Sequence, residues 1–198
     1  MKVITLDNKK LTQYSQKLAI EILKSKYQPD LIIGIQTGGA FVSKPLYTEI
    51  TKHYKTAYCE VGLSRPLSHK KKKFNIKILL QYFPYVLLNF MRNLEVFIYE
   101  LFKSQKYGLT RQNEIIIDID TVDCIKKAKN ILLVDDAIDS GATLLEVKTK
   151  ILSLNKNTQI KTAVLTSTHK SSYIDVDFSI FKRVLLRCPW SNDYKENK

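Results

Sequence analysis

Cysteine is scarce in this chain. Cys59, Cys124 and Cys188 are the only three in 198 residues, and they lie far apart with neither a Cys-x-x-Cys pair nor a Cys/His ligand spacing. That excludes a disulfide-stapled framework and argues against a structural zinc, leaving thiols held in a reducing compartment. The first ten residues, Met1 to Lys10, lack an apolar core long enough for a secretory signal, so a cytoplasmic location is expected. A membrane span is not expected either. The charge-free part of the most apolar segment, Ile78 to Met91, falls short of the roughly 20 residues a spanning helix needs, and it includes Gln81, Pro84 and Asn89. Internal repeats and low-complexity linkers are absent. So is the dinucleotide fingerprint Gly-x-Gly-x-x-Gly, which the glycines at 34, 38 and 39 do not fit. Acidic residues are in deficit, 19 against 32 lysines and arginines, a formal net charge of +13. The excess points to an anionic partner without saying which, although a solvated lysine-rich surface accounts for most of it.

What is present suits one folded domain spanning residues 1–198. A hydrophobic content of 44% with mixed charges argues against disorder. Leu11, Tyr14, Leu18, Ile22 and Leu23 recur at helical spacing and predict an amphipathic helix over about 8–26. Strands are predicted near 31–35, 56–61, 114–119, 131–134, 160–167 and 177–187, with helices near 41–52, 120–129 and 141–154 between them. This alternation predicts an α/β fold, a mostly parallel sheet flanked by helices. The stretch at about 62–112 is too long for a connection and reads as an insertion, first lysine-rich at Lys70 to Lys73, then helical. Pro84 begins or kinks its helix. There Leu87, Met91, Leu94, Ile98 and Leu101 alternate by four and three, and Phe90, Phe97 and Phe102 widen the stripe. So broad an apolar face must be covered, either by the core, with the helix as a lid, or by a second subunit. A homo-oligomer through the insert is expected.

The chemistry concentrates in residues 131 to 143, Ile-Leu-Leu-Val-Asp-Asp-Ala-Ile-Asp-Ser-Gly-Ala-Thr. Residues 131 to 134 have the unbroken apolar character of a strand covered on both faces. Asp135 and Asp136 follow at its carboxyl end, the edge at which open α/β sheets bind ligands, and can accept hydrogen bonds from ligand hydroxyls. Asp139, Ser140, Gly141, Ala142 and Thr143 then lead into a helix, offering free N–H groups and two hydroxyls to a phosphate. Together they suit a sugar phosphate. A second strand-to-glycine segment, Leu31 to Ala40, places Gln36, Thr37, Gly38 and Gly39 where backbone N–H groups can face an anion.

These two segments resemble the ribose-phosphate signature and the pyrophosphate loop of the type I phosphoribosyltransferases. The resemblance implies phosphoribosyl pyrophosphate as donor and a nucleobase-like acceptor. It assigns the ribose hydroxyls and a magnesium ion to Asp135 and Asp136, the 5′-phosphate to Ser140, Gly141, Ala142 and Thr143, and the pyrophosphate to residues 36–39. Asp139 would be the general base. Many relatives carry a basic residue where this chain has Thr37, so part of the pyrophosphate charge must be met elsewhere. Arg65 is a candidate, and equally an ordinary loop arginine. The insert occupies the place of the family's mobile loop.

Residues 162 to 170, ending in His169-Lys170, and 181 to 190, ending in Pro189-Trp190, are similar to the purine branch, the xanthine-guanine and hypoxanthine enzymes. The resemblance implies a small C-terminal hood over the acceptor, with Lys170 donating to an exocyclic oxygen and Leu185 and Leu186 flanking the ring. Two positions depart from it: Leu185 stands where relatives stack an aromatic, and Ser191 where an acid usually follows Pro-Trp, though Asp193 is nearby. The leading expectation is phosphoribosyl transfer to a purine-like base with release of pyrophosphate. The alternatives are a non-purine acceptor, or a regulator that senses the same donor and binds nucleic acid through the basic insert. Net charge does not separate a polyphosphate from a nucleic acid.

Overall fold

Alternation along the strands sorts their side chains onto two cores. In the computed structural model, which describes residues 1–64, 80, 82–102, 114–169 and 172–195, the central strands are apolar throughout in β2 (Leu31–Ile35) and from Ile131 to Val134 in β5 (Asn130–Ile138). Ile32, Leu132 and Val134 face one side and pack with Leu18 and Ile22 of α1 (Asn8–Lys24) and Val42, Leu46 and Ile50 of α2 (Gly38–Ile50). Leu31, Ile33, Ile131 and Leu133 face the other and pack with Ile125 and with Leu144, Val147 and Ile151. A strand buried on both faces has to read as an unbroken hydrophobic run, as these do.

The main sheet has the order β4-β3-β2-β5-β6-β7, with β3 at Ala57–Ser64, β4 at Glu114–Ile116, β6 at Gln159–Ser167 and β7 at Phe178–Lys182. All neighbours are parallel except β3 and β4. Among the described residues the remaining helices are α3 (Tyr85–Phe102) in the insert, α4 (Ile119–Lys127) and α5 (Ala142–Leu154). Asp7 and Asp118 cap α1 and α4, accepting from the N–H groups of Lys10 and Thr121. Pro84 immediately precedes α3, and its carbonyl accepts from Leu87 and Leu88. The mostly parallel sheet with helices on both faces is therefore present.

Three elements differ from the sequence reading. The strand expected at 177–187 is two strands: Arg183 takes a left-handed conformation, φ 60°, and turns β8 (Val184–Arg187) out of the main sheet. There β8 pairs in parallel with a strand not foreseen, β1 (Lys2–Thr5), so the hood is built from both ends of the chain. The strand expected at 131–134 continues to Ile138, because β6 keeps pairing with it as far as Ser167.

The insert helix does not bury its stripe within one copy of the chain. Its apolar stripe was expected to be covered, and packing on the core as a lid was one way. Instead α3 turns its polar face to the hood. Arg92 donates to the Asp193 carboxylate at 2.8 Å and 2.6 Å and to the Leu186 carbonyl at 2.8 Å. Arg187, 1% exposed, donates to Asp193 at 3.0 Å, to Thr5 Oγ1 at 3.1 Å and to Asn89 Oδ1 at 2.8 Å. The Tyr85 ring lies 4.3 Å from its guanidinium carbon. Buried charges of this kind need partners, and the hood fixes the rotation of α3 by supplying them. Arg65, Lys70 to Lys73 and Lys170 lie outside the described residues. Within the described residues, no helix is long and apolar enough to cross a membrane.

Asp193 joins hood and insert. Burial alone would raise the pKa of its carboxyl, but the hydrogen bonds from Arg92 and Arg187 outweigh that and hold it below the usual value. Its contribution to stability is thus present above the unfolded value of about 3.9 and is lost as pH falls through the depressed native value. Asp193→Ala strands a buried guanidinium and should lower unfolding free energy by roughly 3–5 kcal/mol; urea denaturation at neutral pH checks this.

Candidate active site

The chain leaves β2 toward β3 on one side and β5 toward β6 on the other, so β2 and β5 flank the point where strand order reverses. Ligands of open α/β sheets bind outside the carboxyl ends of such a strand pair. The pairing of β2 with β5 stops at Gly34 and Val134, whereas β5 runs on along β6. Asp135 and Asp136 therefore sit on a paired strand with one edge open, which stiffens them better than a loop would.

The loop after β2 fills that edge. The peptide between Gln36 and Thr37 is cis, and α2 starts at Gly38. A side chain on Gly38 would lie 2.4 Å from the Asp136 carboxylate, and one on Gly39 would lie 2.5 Å from the Val134 carbonyl oxygen and 2.9 Å from the Asp135 Cα. Only glycine lets the two segments approach this closely. The sequence places these segments about 100 residues apart; the fold brings them into contact. Gln36 leans outward, donating to Glu60 at 3.0 Å, and the same carboxylate pairs with Lys44 of α2 at 2.9 Å.

The two acids form a tightly coupled pair. The Asp136 N–H donates to Asp135 Oδ1 at 2.8 Å, and the indole N–H of Trp190 donates to Asp136 Oδ2 at 3.1 Å. Both side chains keep some contact with solvent, yet crowding by the glycine loop, β6 and the hood strips much of the water from their carboxyls. Desolvation first, and the charge of Asp136 second, push Asp135 well above the usual carboxylate range; desolvation also raises Asp136. Burial, with the charge of Asp136 behind it, pushes the neighbouring Cys188 thiol up to about 12, so this cysteine is no nucleophile.

Beyond the acids the chain turns into α5. Gly141 adopts φ 82°, which only glycine takes without strain, and Ala142 begins the helix. The turn is tied down from outside: the Ser140 carbonyl accepts from Tyr173 N–H at 2.7 Å, and that of Ile138 from Thr168 N–H at 2.9 Å. Asp135 and residues 137–144 line a cavity of about 160 Å³ whose floor is the first turn of α5. That turn has N–H groups without intrahelical partners, so the cavity is suited to an anion. Asp139 is exposed on its rim, with Ser140 and Thr143 half-exposed.

Several residues expected at the site are engaged in other contacts. Leu185 and Leu186 are both 9% exposed, and as neighbours on β8 they point to opposite faces; Leu186 belongs to the core shared with α1. Asp193 is bound by the two arginines. In turn, the structure adds Phe41, whose ring stacks on Trp190 at 4.9 Å and 11°. A lone aromatic opening α2 carries no sequence signal for this role. The close fit of the glycine loop predicts that Gly39→Ala, which meets backbone rather than a flexible side chain, lowers unfolding free energy by roughly 1–3 kcal/mol, readable as a lower urea midpoint.

Residues 76–193 match the family model described as a phosphoribosyl transferase domain. No curated protein matches in sequence. Solved structures resemble the whole chain. A purine phosphoribosyltransferase from Pyrococcus horikoshii superposes with a TM-score of 0.62 at 18% identity, covering 100% of this chain and 99% of that one. A hypothetical protein from Neisseria gonorrhoeae with bound ppGpp gives 0.60 at 18%, covering 96% and 89%. A Helicobacter pylori xanthine-guanine-hypoxanthine phosphoribosyltransferase gives 0.57 at 15%, covering 95% and 93%. Identities this low speak for the fold, whereas the family match spans more than half of the chain and includes both acids and the turn into α5, and on that match the chain belongs to the phosphoribosyltransferase family.

Proposed function

We propose that the protein transfers a 5-phosphoribosyl group from phosphoribosyl pyrophosphate to a purine-like base, releasing pyrophosphate. The observation that carries this reading is the contact of three donor-binding parts at one sheet edge: the Gly38–Gly39 backbone, the Asp135–Asp136 pair and the cavity over the start of α5. Ser140, Gly141, Ala142 and Thr143 hold the 5′-phosphate in that cavity, the acids accept from the ribose hydroxyls, and the backbone of residues 36–39 faces the pyrophosphate. The bond from the anomeric carbon to the pyrophosphate oxygen breaks, a bond to a ring nitrogen of the base forms, and the proton on that nitrogen passes to Asp139. Positioning and charge neutralisation supply most of the rate, because the anomeric centre passes through an oxocarbenium-like state.

Two crowded carboxylates suit a divalent cation that arrives with its polyanionic substrate. Among the described residues no cluster of three or more acidic, histidine or cysteine side chains could hold a metal by itself. Magnesium bound through one or two carboxylates plus substrate oxygens needs no such cluster. When bound there it would neutralise charge on the leaving pyrophosphate.

A second reading, phosphoribosyl transfer to a non-purine acceptor, is favoured by Leu185 and Leu186. Both are buried, and neither offers the aromatic face on which a purine stacks. Incubation with phosphoribosyl pyrophosphate, magnesium and a panel of purine, pyrimidine and non-base acceptors, read as pyrophosphate release, separates the two. Release with a purine supports the first, release only with another acceptor the second, and no release with any acceptor overturns both. With the productive acceptor, Asp139→Asn should lower turnover by about 100-fold or more while leaving donor affinity nearly unchanged; equal turnover would remove Asp139 from the mechanism. The raised pKa values of the acid pair give a second test. The ionised pair is the form that binds, so affinity for the magnesium donor complex should rise with pH until the raised pKa is passed. Below it binding should release a proton, seen by calorimetry in buffers of different ionisation enthalpy.

A further inference from the structure

The outward face of α3 has no part in the proposed reaction. Leu87, Met91, Leu94, Ile98 and Leu101, spaced by four, three, four and three, remain 38%, 46%, 43%, 46% and 58% exposed. Val86, Phe90 and Phe97 flank them at 81%, 64% and 59%. At 3.6 residues per turn all eight fall within an arc of about 140°. The opposite side of the helix holds Tyr85, Asn89 and Arg92, committed to the hood, and the buried Leu88 and Val96. The helix cannot roll to hide its apolar face without breaking that network.

We infer that α3 is a dimerisation helix whose seam packs on the same seam of a second copy of the chain about a two-fold axis. The four-three spacing is what knobs-into-holes packing between two helices requires, and a disordered apolar medium would impose no such register. The exposed area is also adequate. Eight large apolar side chains at these exposures sum to on the order of 800 Å², about what one partner contributes to a standard interface. Patches beyond a few hundred Å² are uncommon on monomers.

Charge argues the same way. Each copy carries a formal +13, so two copies repel through most surfaces. Helix α3 has no lysine; its charged residues are Arg92, Glu95 and Glu100, and Arg92 is turned inward. Helices that lie on anionic bilayers are instead rich in lysine and arginine. A neutral seam bordered by Glu95 suits a protein partner of the same kind, and a C2 contact needs only one self-complementary patch.

Sedimentation velocity of the full chain tests this, and because it reads mass its outcome is independent of the reaction proposed above. The unmodified protein should be a dimer at micromolar concentration. Leu94→Glu, at the centre of the seam and on the other side of the helix from Asn89 and Arg92, should raise the dissociation constant by at least about 100-fold with an unchanged circular dichroism spectrum. Ile98→Glu should do the same if Leu94→Glu proves poorly folded. A wild-type monomer over the whole range, or a dimer that survives both substitutions, overturns the inference. So does a solution monomer that binds phosphatidylserine vesicles through this face.

Discussion

Two carboxylates forced together under a glycine backbone set the terms for the whole active edge. Asp135 and Asp136 are adjacent, partly stripped of water and like-charged, an arrangement that favours holding a proton over holding two negative charges. Such a pair is poorly suited to stabilising a fold and well suited to a ligand that brings hydroxyl donors and a cation. The surrounding fold holds it in place. β6 continues the ladder beside the acids, Gly38 and Gly39 close the open edge, and Trp190 adds one indole hydrogen bond that orients an Asp136 oxygen. Replacing any of these parts by something looser would let the carboxyls turn to water and lose the raised pKa.

The second constraint is the pair of arginines in the hood. Arg187 is fully buried, and its partners come from β1, α3 and the C-terminal turn. One charge thus gathers three separate stretches of chain, and through Pro189 and Trp190 it lies only a few residues from the acid pair. The same network decides which face of α3 looks outward. Polar anchoring inward and an apolar seam outward is the reverse of the usual amphipathic helix, so a surface suited to protein contact follows from the need to pair two guanidinium groups.

Sequence and structure agree where local chemistry has few solutions. Residues 31–35 and 131–134 are apolar runs too short for a buried helix and rich in branched side chains, which selects buried strands. The grouping of the residues proposed to hold the donor was legible for that reason: Asp135, Asp136, Ser140 to Thr143 and the Gly38–Gly39 turn all come together. The surroundings of Leu185 and Leu186 were not. Leu185 and Leu186 look alike in sequence, yet pleating sends them to opposite faces, and the break at Arg183 that makes β8 a hood strand depends on pairing with β1, over 170 residues away. Asp193 stood out in the sequence only as an acid near Trp190, and it is the partner of two arginines. The role of Phe41 beside Trp190 carried no signal, because a single exposed aromatic on a helix has none.

By itself the sequence determined the parallel α/β plan, the order of the chemical motifs and the identity of the groups proposed to meet the donor, because periodicity, glycine and acidic spacing act over a few residues. Only the tertiary structure decided that Gly39 touches Val134, that Asp193 belongs to the hood and that α3 shows its seam to solvent. Those outcomes depend on which distant groups compete for the same buried space and the same buried charges, and nothing local encodes that competition.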